Sequence, residues 1–459
     1  MYFKLIFDIV LVYGGKNTKT RMNSRNLLTT RKGRFTAFSL LYISEGIPYG
    51  FTSIAMVTFM RQQGVSLESI GAFVAALFLP WAFKWAWAPL IDLIKLDRLG
   101  GRRAWIIFCT VMMILTLLIT AMIDFKENFQ LLLAMIVLNN MFCATQDVAI
   151  DSLAVSTLKK NERARGNGFM FAGQNFGIMM GGGAAVFVYG LMGFKAALAY
   201  ISAMLFLNLM FVVFYIRDPD VNPQPVHQDH IIKKLVTSMT AFVKEVYASF
   251  WQSGRGPMLG VAFALLPTGA FALAYAILGT IVVDYGLDES RIAELRMLNT
   301  AAMAVGCLVG GLLGDRFGVK TAVGGAYFLT ALPTLFLAVQ ISMDGLTSVS
   351  VTVFYGVIIL HGLFYGMAFG VRSAIFMGMT NPAVAATQFT AFMGMSNLAI
   401  SIGNYWQGMV AERIDYAAVL YLDALLGMLV ILLIPFLQSR EESQQRIATA
   451  QTAAETPDS

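Results

Sequence analysis

The chain has 459 residues, of which 57% are hydrophobic and only 13% are charged. Soluble proteins carry about 25% charged residues, and so few charges do not cover this much apolar side chain in water. The composition therefore indicates a polytopic membrane protein and excludes a cytosolic enzyme, a disulfide scaffold and a disordered chain. The formal net charge of +6 does not by itself identify a partner.

A helix that spans a bilayer needs about 20 predominantly apolar residues. The apolar segments predict an all-α membrane protein with twelve such helices. The predicted spans are 35–60, 70–91, 104–123, 129–156, 166–190, 194–216, 257–284, 298–314, 322–341, 349–377, 383–408 and 417–437. The apolar segment 2–13 is too short to span, and two interpretations stay open. It is either an interfacial piece or an extension upstream of a start at Met22.

Lys and Arg concentrate in the cytoplasmic loops of membrane proteins. With the N-terminus inside, 25 of the 33 Lys and Arg residues fall in cytoplasmic segments and six fall on the opposite side. This asymmetry predicts a multi-pass protein of the cell (inner) membrane with both termini in the cytoplasm. It also explains the net positive charge without a nucleic-acid partner.

The spans form two halves of nearly equal length. The predicted organisation is a cytoplasmic N-terminal segment (1–34), a first six-helix bundle (35–217), a linker with an amphipathic helix (218–256), a second six-helix bundle (257–437) and a disordered cytoplasmic tail (438–459). Asp92 ends the second span and Asp315 the eighth, 223 positions later. Repeats of this kind place a substrate site at their interface, near the middle of the membrane.

The segment 310–320, after the eighth span, reads GGLLGDRFGVK. It resembles the cytoplasmic loop motif of the major facilitator superfamily, Gly-x-x-x-Asp-Arg-x-Gly-x-Lys. The glycines allow helices to approach closely, and the acid and bases form a charge clasp that can hold one conformation. With the counterpart in the first half, the candidate gating residues are Asp92, Arg102, Arg103, Asp315, Arg316 and Lys320.

The first half departs from that motif, since 84–92 reads KWAWAPLID. This variant is similar to one branch of the superfamily: AmpG-type muropeptide permeases, acetyl-CoA transporters and certain siderophore-uptake permeases. The segments 46–48 (GIP), 146–151 (QDVAID) and 386–388 (ATQ) agree with it. In muropeptide permeases the second Asp is usually followed closely by Tyr-Arg, whereas SLAV follows Asp151 here. The resemblance therefore favours a siderophore slightly over a muropeptide or acetyl-CoA.

Ionisable residues inside a membrane are costly, so each is a functional hypothesis. Asp147 and Asp151 are four residues apart and share a face of span four. Two close carboxylates in a low dielectric do not both ionise cheaply, so this pair is a candidate for proton coupling, together with Glu45 in span one. Two alternatives stay open: one Asp pairs with Lys84 as a structural bridge, and Glu45 hydrogen-bonds a neighbouring helix.

Other polar residues are predicted to lie near the interface of the halves. The candidates for substrate binding are Lys84, Gln174, Asn175, His361, Arg372 and Asn397. For His361 the alternative is a hydrogen-bonded core histidine, and for Arg372 it is snorkelling to the interface. We expect Asp423, near the outer end of span twelve, to snorkel. We expect Trp81 to be interfacial or part of the core, not of a binding cage.

No phosphate-binding loop is present, since Gly14-Gly15-Lys16 is followed by Asn17 where Ser or Thr is needed. The three cysteines lie apart in apolar segments, so we expect no metal site and no cofactor. We predict a non-enzymatic secondary transporter, monomeric in the bilayer, that takes up a bulky polar organic solute with protons by alternating access. Two rivals stay open: a ligand-binding sensor of the same fold, and a membrane-embedded enzyme.

Overall fold

The computed structural model describes residues 26–63, 73, 76–77, 80–94, 100–123, 128–219, 240–241, 243–252, 255–266, 271–443 and 445. Within these residues every regular element is helical. The apolar segment 2–13, most of the linker's amphipathic helix and the tail after residue 445 lie outside the described residues, so the expectations for them stay predictions.

The first half consists of eight described α-helices. In chain order these are α1 (Arg31–Gly50), α2 (Met56–Gln62), α3 (Ala88–Leu93), α4 (Arg102–Thr120), α5 (Phe129–Thr157), α6 (Arg163–Met179), α7 (Ala185–Met192) and α8 (Phe194–Tyr215). A wide π-turn, Phe51–Ala55, joins α1 to α2, and another, Met180–Ala184, joins α6 to α7. The two π-turns pack against each other. Such bulges are frequent at functional sites.

The second half consists of seven described α-helices. They are α9 (Gly256–Leu265), α10 (Ala276–Asp284), α11 (Glu289–Phe317), α12 (Val319–Asp344), α13 (Val351–Met379), α14 (Ala385–Arg413) and α15 (Tyr416–Leu429). The predicted seventh span, 257–284, is discontinuous, because ten residues separate the end of α9 at Leu265 from the start of α10 at Ala276. A 3₁₀ turn, Ala272–Ala274, lies in this break.

Eight of the described helices are long and apolar enough to cross a membrane. They are Arg102–Thr120, Phe129–Thr157, Lys160–Met192, Phe194–Tyr215, Ser290–Phe317, Val319–Asp344, Val351–Met379 and Tyr416–Phe436. They coincide with eight of the twelve predicted spans. The other four are helical in their described parts, but they are polar, interrupted or incompletely described. The full number of twelve therefore stays a prediction.

Glycines determine how closely the helices of the first half pack. A Cβ on Gly46 of α1 would lie 2.2 Å from the main-chain oxygen of Gln174 in α6. A Cβ on Gly177 would lie 2.4 Å from the main-chain oxygen of Ile43. Only glycine permits this separation. The close approach brings the polar side chains of α6 within reach of those of α1.

The halves contact each other mainly at one end of the bundle, where α1 and α6 begin and α11 and α13 end. We call this the basic end. The described contacts between the halves join α6 with α11 and α13, and α14 with α3 and α5. A Cβ on Gly168 of α6 would lie 2.5 Å from the main-chain oxygen of Cys307 in α11. The halves are thus closed against each other at the basic end.

Candidate transport site and gate

A buried ion pair lies in the first half, between Lys84 and Asp147. Both side chains are about 3% exposed, and Lys84 Nζ contacts Asp147 Oδ2. Lys84 lies on a 3₁₀ turn just before α3, and its ammonium also lies 5.3 Å from the centre of the Trp81 ring. Of the two alternatives open for these residues, the structure adopts the bridge geometry.

Two further acids lie beside this pair. The hydroxyl of Tyr42 donates to Asp151 Oδ1 at 2.5 Å, and Gln174 Nε2 donates to Glu45 Oε1 at 2.6 Å. Glu45 interacts electrostatically with Asp147 and with Asp151. The structure thus brings the three predicted proton-coupling residues together. It also engages Gln174, a predicted solute ligand, with Glu45.

We call Glu45, Lys84, Asp147 and Asp151 the acid cluster. It contains three carboxyl groups and one base. The second oxygens of Glu45 and Asp151 are buried without a hydrogen-bond partner among the described residues. A buried carboxylate oxygen without a donor is costly, whereas a protonated carboxyl supplies its own donor. Protonation of these two carboxyl groups would therefore lower the cost of burying them.

In the second half, a buried arginine and several aromatic side chains lie close together. Arg372 is 4% exposed, and its guanidinium lies 5.9 Å from the ring centres of both Phe369 and Phe376. The hydroxyls of Tyr275 and Tyr365 are 2.8 Å apart. The fully buried ring of His361 stacks on Tyr365, with the ring centres 6.0 Å apart.

The other two predicted solute ligands lie apart from these groups. Asn175 Nδ2 donates to the main-chain oxygen of Phe171, one turn earlier in its own helix, at 2.8 Å. Asn397 lies half-buried on α14. Neither side chain is hydrogen-bonded to the acid cluster in the described part of the chain.

One contact that closes the basic end involves Asp315, at the end of α11. Its Oδ2 pairs with Arg165 Nε at 2.9 Å and with the guanidinium of Arg31 at 3.0 Å. Its Oδ1 accepts the main-chain N–H of Arg165 at 3.3 Å. That N–H is in the first turn of α6, where N–H groups have no partner within the helix. Both arginines belong to the opposite half.

The second contact involves Asp92, at the end of α3. Its carboxylate accepts the main-chain N–H groups of Ala386 at 3.1 Å and Thr387 at 2.9 Å, and the Thr387 hydroxyl at 2.9 Å. These groups are in the first turn of α14, so the acid satisfies free N–H groups and faces the positive end of the helix dipole. Arg165 and Thr387 are 222 positions apart. The two acids thus form equivalent contacts in opposite directions.

The structure places the other predicted gating residues within single halves. Arg102 pairs with Asp218, its Nη2 at 2.7 Å from Oδ1, and Arg103 donates to the main-chain oxygen of Val213 at 2.8 Å. Arg316 is exposed and lies over the ring of Phe317. Lys320 is 3.5 Å from Glu442. Among the described contacts, Arg102, Arg103 and Lys320 thus engage residues of their own half, and Arg316 engages only its neighbour in the chain.

The expectation that Asp423 snorkels to the interface is wrong. Asp423 is fully buried; it accepts the main-chain N–H of Ala272 at 2.9 Å and Gln407 Nε2 at 2.8 Å. The acid therefore caps the turn inside the discontinuous seventh span. The break in that span creates free N–H groups, and a buried acceptor satisfies one of them. The hydropathy pattern did not reveal the break.

The exposed rim of the basic end carries a further pair between the halves. Lys160 Nζ lies 2.6 Å from Glu441 Oε2, and both side chains are more than half exposed. The hydrogen bond from Lys160 lowers the pKa of the Glu441 carboxyl. Exposed ion pairs contribute about 0–1 kcal/mol to stability. This pair therefore accompanies the closure of the basic end but does not drive it.

The comparisons with known proteins agree with this architecture. A family model described as Major Facilitator Superfamily matches residues 38–288 and 258–457. A protein of Haemophilus influenzae is 23% identical over 393 residues, which are 84% of this chain and 90% of that protein. The anhydromuropeptide permease of Escherichia coli K12 is 22% identical over 394 residues, which are 85% of this chain and 76% of the permease.

Among solved structures, the proton:xylose symporter XylE has a TM-score of 0.69 at 13% identity, covering 91% of this chain and 99% of the symporter. At that identity the likeness shows the fold alone. The family model and the relatives identify a multi-pass membrane transporter, as the motifs in both halves predict. The chain therefore belongs to the Major Facilitator Superfamily, in the same branch as the AmpG-type permeases.

Proposed function

We propose that the protein takes up a bulky polar organic solute together with protons, by alternating access. The observation that carries this proposal is the acid cluster, in which Lys84 balances only one of the three carboxyl groups of Glu45, Asp147 and Asp151. All four residues are 3% exposed or less. Leaving two further carboxylates charged and dry would be costly, so they bind protons in this state.

Proton transfer then couples to movement through charge balance. A proton that neutralises Asp147 removes the partner of Lys84, and the freed ammonium favours a hydrated state of the cluster. Hydration requires the halves to part at the basic end. The contacts of Asp92 and Asp315 break in that step, and they reform when the cluster is dry again. The hydrogen bond from Gln174 to Glu45 couples the hydration of the cluster to the position of α6.

The protein's organisation in the membrane is part of this proposal. The basic end faces the cytoplasm, both termini are cytoplasmic, and the protein lies in the inner membrane as a monomer. Two six-helix halves, 35–217 and 257–437, rock about the central site. The excess of Lys and Arg in the predicted cytoplasmic segments supports this orientation.

The solute is a separate question. The Escherichia coli relative is named an anhydromuropeptide permease, which supports a muropeptide. The residues SLAV after Asp151 support a siderophore or acetyl-CoA instead. We place an anhydromuropeptide first, because the relative aligns over most of both chains, while the SLAV segment is a local departure. A siderophore and acetyl-CoA complete the set to be tested.

Uptake into proteoliposomes tests the proposal. An inward proton gradient is imposed, and accumulation of an anhydromuropeptide, a ferric siderophore and acetyl-CoA is measured in turn. We expect one of them to accumulate against its gradient, and Asp147→Asn to abolish the accumulation. Lys160→Gln, at the exposed rim, is the matched control and should transport normally.

The other outcomes separate the rival functions. Equal uptake with and without the gradient would indicate a uniporter and contradict proton coupling. Binding of a solute without uptake would indicate a sensor of the same fold. Chemical conversion of the solute would indicate a membrane-embedded enzyme.

A further inference from the structure

A series of aromatic side chains connects the two halves beside the acid cluster. Tyr49 and Trp81 of the first half meet edge to face, with ring centres 6.3 Å apart. Tyr275 and Tyr365 of the second half do the same at 6.0 Å, and Phe369 follows Tyr365 at 5.8 Å. Tyr49 lies close enough to Tyr275 to interact with it electrostatically. We call these five residues the aromatic arc.

Two hydroxyl-bearing members of the arc keep accessible surface, since Tyr49 and Tyr275 are only half-buried. They belong to opposite halves, so we infer that this surface borders a space between the halves. Phe369 also packs on Phe171 of the first half, with ring centres 4.5 Å apart, where the halves are closed. The arc thus runs from the closed region towards the acid cluster.

Polar groups lie on both sides of the arc. Arg372 acts electrostatically on the hydroxyls of both Tyr275 and Tyr365. On the first half, Trp81 touches the acid cluster through Lys84. A solute beside the arc would therefore meet one cation and two hydroxyls of the second half, and an aromatic ring of the first half that touches the acid cluster.

We propose that this space binds an organic anion, whose ring or sugar face packs on the aromatic arc and whose carboxylate or phosphate is bound by Arg372 with the hydroxyls of Tyr275 and Tyr365. The inference rests on the proposed transport function and names its substrate class. Aromatic side chains offer large flat surfaces to rings, and Arg binds planar anionic groups with two parallel hydrogen bonds. We therefore expect uncharged sugars and organic cations to bind more weakly than anions.

Calorimetric binding to the purified full chain at one fixed pH tests the inference. The probes are an anhydromuropeptide, the same compound with its carboxyl groups methylated, and acetyl-CoA as a phosphate-bearing anion. We expect the wild type to bind at least one of the two anions. For the anhydromuropeptide, methylation and Arg372→Gln should each weaken binding about tenfold, and their combination should weaken it little further.

Milder variants and a control keep the result interpretable. Tyr275→Phe and Tyr365→Phe remove one hydroxyl each and keep the ring; each should weaken binding of the acid form but hardly that of the ester. Arg372→Lys should restore part of the lost affinity. Arg413→Gln, an exposed cation of the same half, is the control and should bind like the wild type.

Two results would overturn the inference. One is equal loss of acid and ester binding in Arg372→Gln, Tyr275→Phe and Tyr365→Phe, which would make these residues merely structural. The other is that the wild type binds neither anion. Because binding is measured without a proton gradient, a wild type that binds as expected but fails in gradient-driven uptake would refute the proposed function and leave this inference standing. If acetyl-CoA alone binds, phosphate is the group recognised, and Arg372→Gln should abolish its binding.

Discussion

The carboxylate of Asp92 accepts both the main-chain N–H and the hydroxyl of Thr387, each at 2.9 Å, across the interface of the two halves. Asp315 accepts the main-chain N–H of Arg165 in the equivalent position of the other half. Each half therefore ends its second predicted span with an acid that caps the fifth predicted span of its partner. Opening the basic end must break both caps.

Neutralising Asp92 should open the basic end. Asp92→Asn keeps the size of the side chain but loses the charge that faces the start of α14. The closed state should lose about 1 kcal/mol of stability relative to the open state, which is roughly a fivefold shift towards the open state. Spin labels at positions 160 and 441, in a background without the three buried cysteines, report the separation by electron paramagnetic resonance. We expect a larger long-distance population. Asp344→Asn, an exposed acid outside the gate, is the control; an unchanged distance distribution in Asp92→Asn would contradict the role of the cap.

Arg165 and Arg31, the two partners of Asp315, should contribute unequally to the stability of the closed state. The Arg165 side chain is 32% exposed and that of Arg31 is 46% exposed, so water and salt screen the Arg31 pair more strongly. With the same spin labels, we expect the open population to rise most in Asp315→Asn, less in Arg165→Gln and least in Arg31→Gln. A larger effect of Arg31→Gln than of Arg165→Gln would show that this order is wrong.

A methyl group at Gly168 should prevent closure at the basic end. In Gly168→Ala the new Cβ would lie 2.5 Å from the main-chain oxygen of Cys307, which no real Cβ tolerates. We expect the spin-label distance to lengthen and uptake to stop. Gly356→Ala is the matched control, because a Cβ there meets nothing within 4 Å. It should transport normally and unfold at the same or a higher temperature, since Ala favours a helix by about 1 kcal/mol over Gly. Normal transport by Gly168→Ala would contradict tight closure.

Substitutions at Lys84 and Asp147 should have strongly non-additive effects on the stability of the protein. Asp147→Asn leaves a buried ammonium without its partner, which costs about 3–5 kcal/mol. The double variant Lys84→Met, Asp147→Leu removes both charges, so it should recover most of the lost melting temperature. It should not recover gradient-driven uptake, since the proton site is gone. If the double variant melts as low as Asp147→Asn, the pair is not the cause of the instability.

The sequence predicted the acid cluster better than the contacts around it. Helical spacing predicts that Asp147 and Asp151 share a face, and membrane depth brings Lys84 to a similar level. The partners Tyr42 and Gln174 come from α1 and α6, and their approach depends on glycine contacts such as that of Gly46. Spacing along one helix carries no information about such contacts between helices.

The two repeated acids at the basic end were predicted, but the groups that they contact were missed. Arg165 is one of the 25 Lys and Arg residues in the predicted cytoplasmic segments, and its position 222 residues before Thr387 is a usable signal. Conversely, Arg102 and Arg103 belong to the motif region but hold α4 to the end of the first half. A charge pattern does not distinguish a base that bridges two halves from one that joins two helices of the same half.

The arc was not foreseen either, because Tyr275 follows a break in the seventh span that hydropathy does not show. Trp81 was expected at the interface or in the core. It packs against the core of the first half, as expected, but its contacts with Tyr49 and Lys84 were not foreseen. Only the three-dimensional approach of the two halves brings these rings into one surface.

The most direct test of the central claim is proton movement caused by the solute itself. Proteoliposomes with a pH-sensitive dye inside and no initial pH gradient receive an anhydromuropeptide outside. The account predicts that the wild type acidifies the interior as the solute enters. The triple variant Glu45→Gln, Asp147→Asn, Asp151→Asn should not acidify it, even if it still binds the solute. Acidification by the triple variant at the wild-type rate, or solute entry into wild-type liposomes without acidification, would contradict proton coupling at the acid cluster.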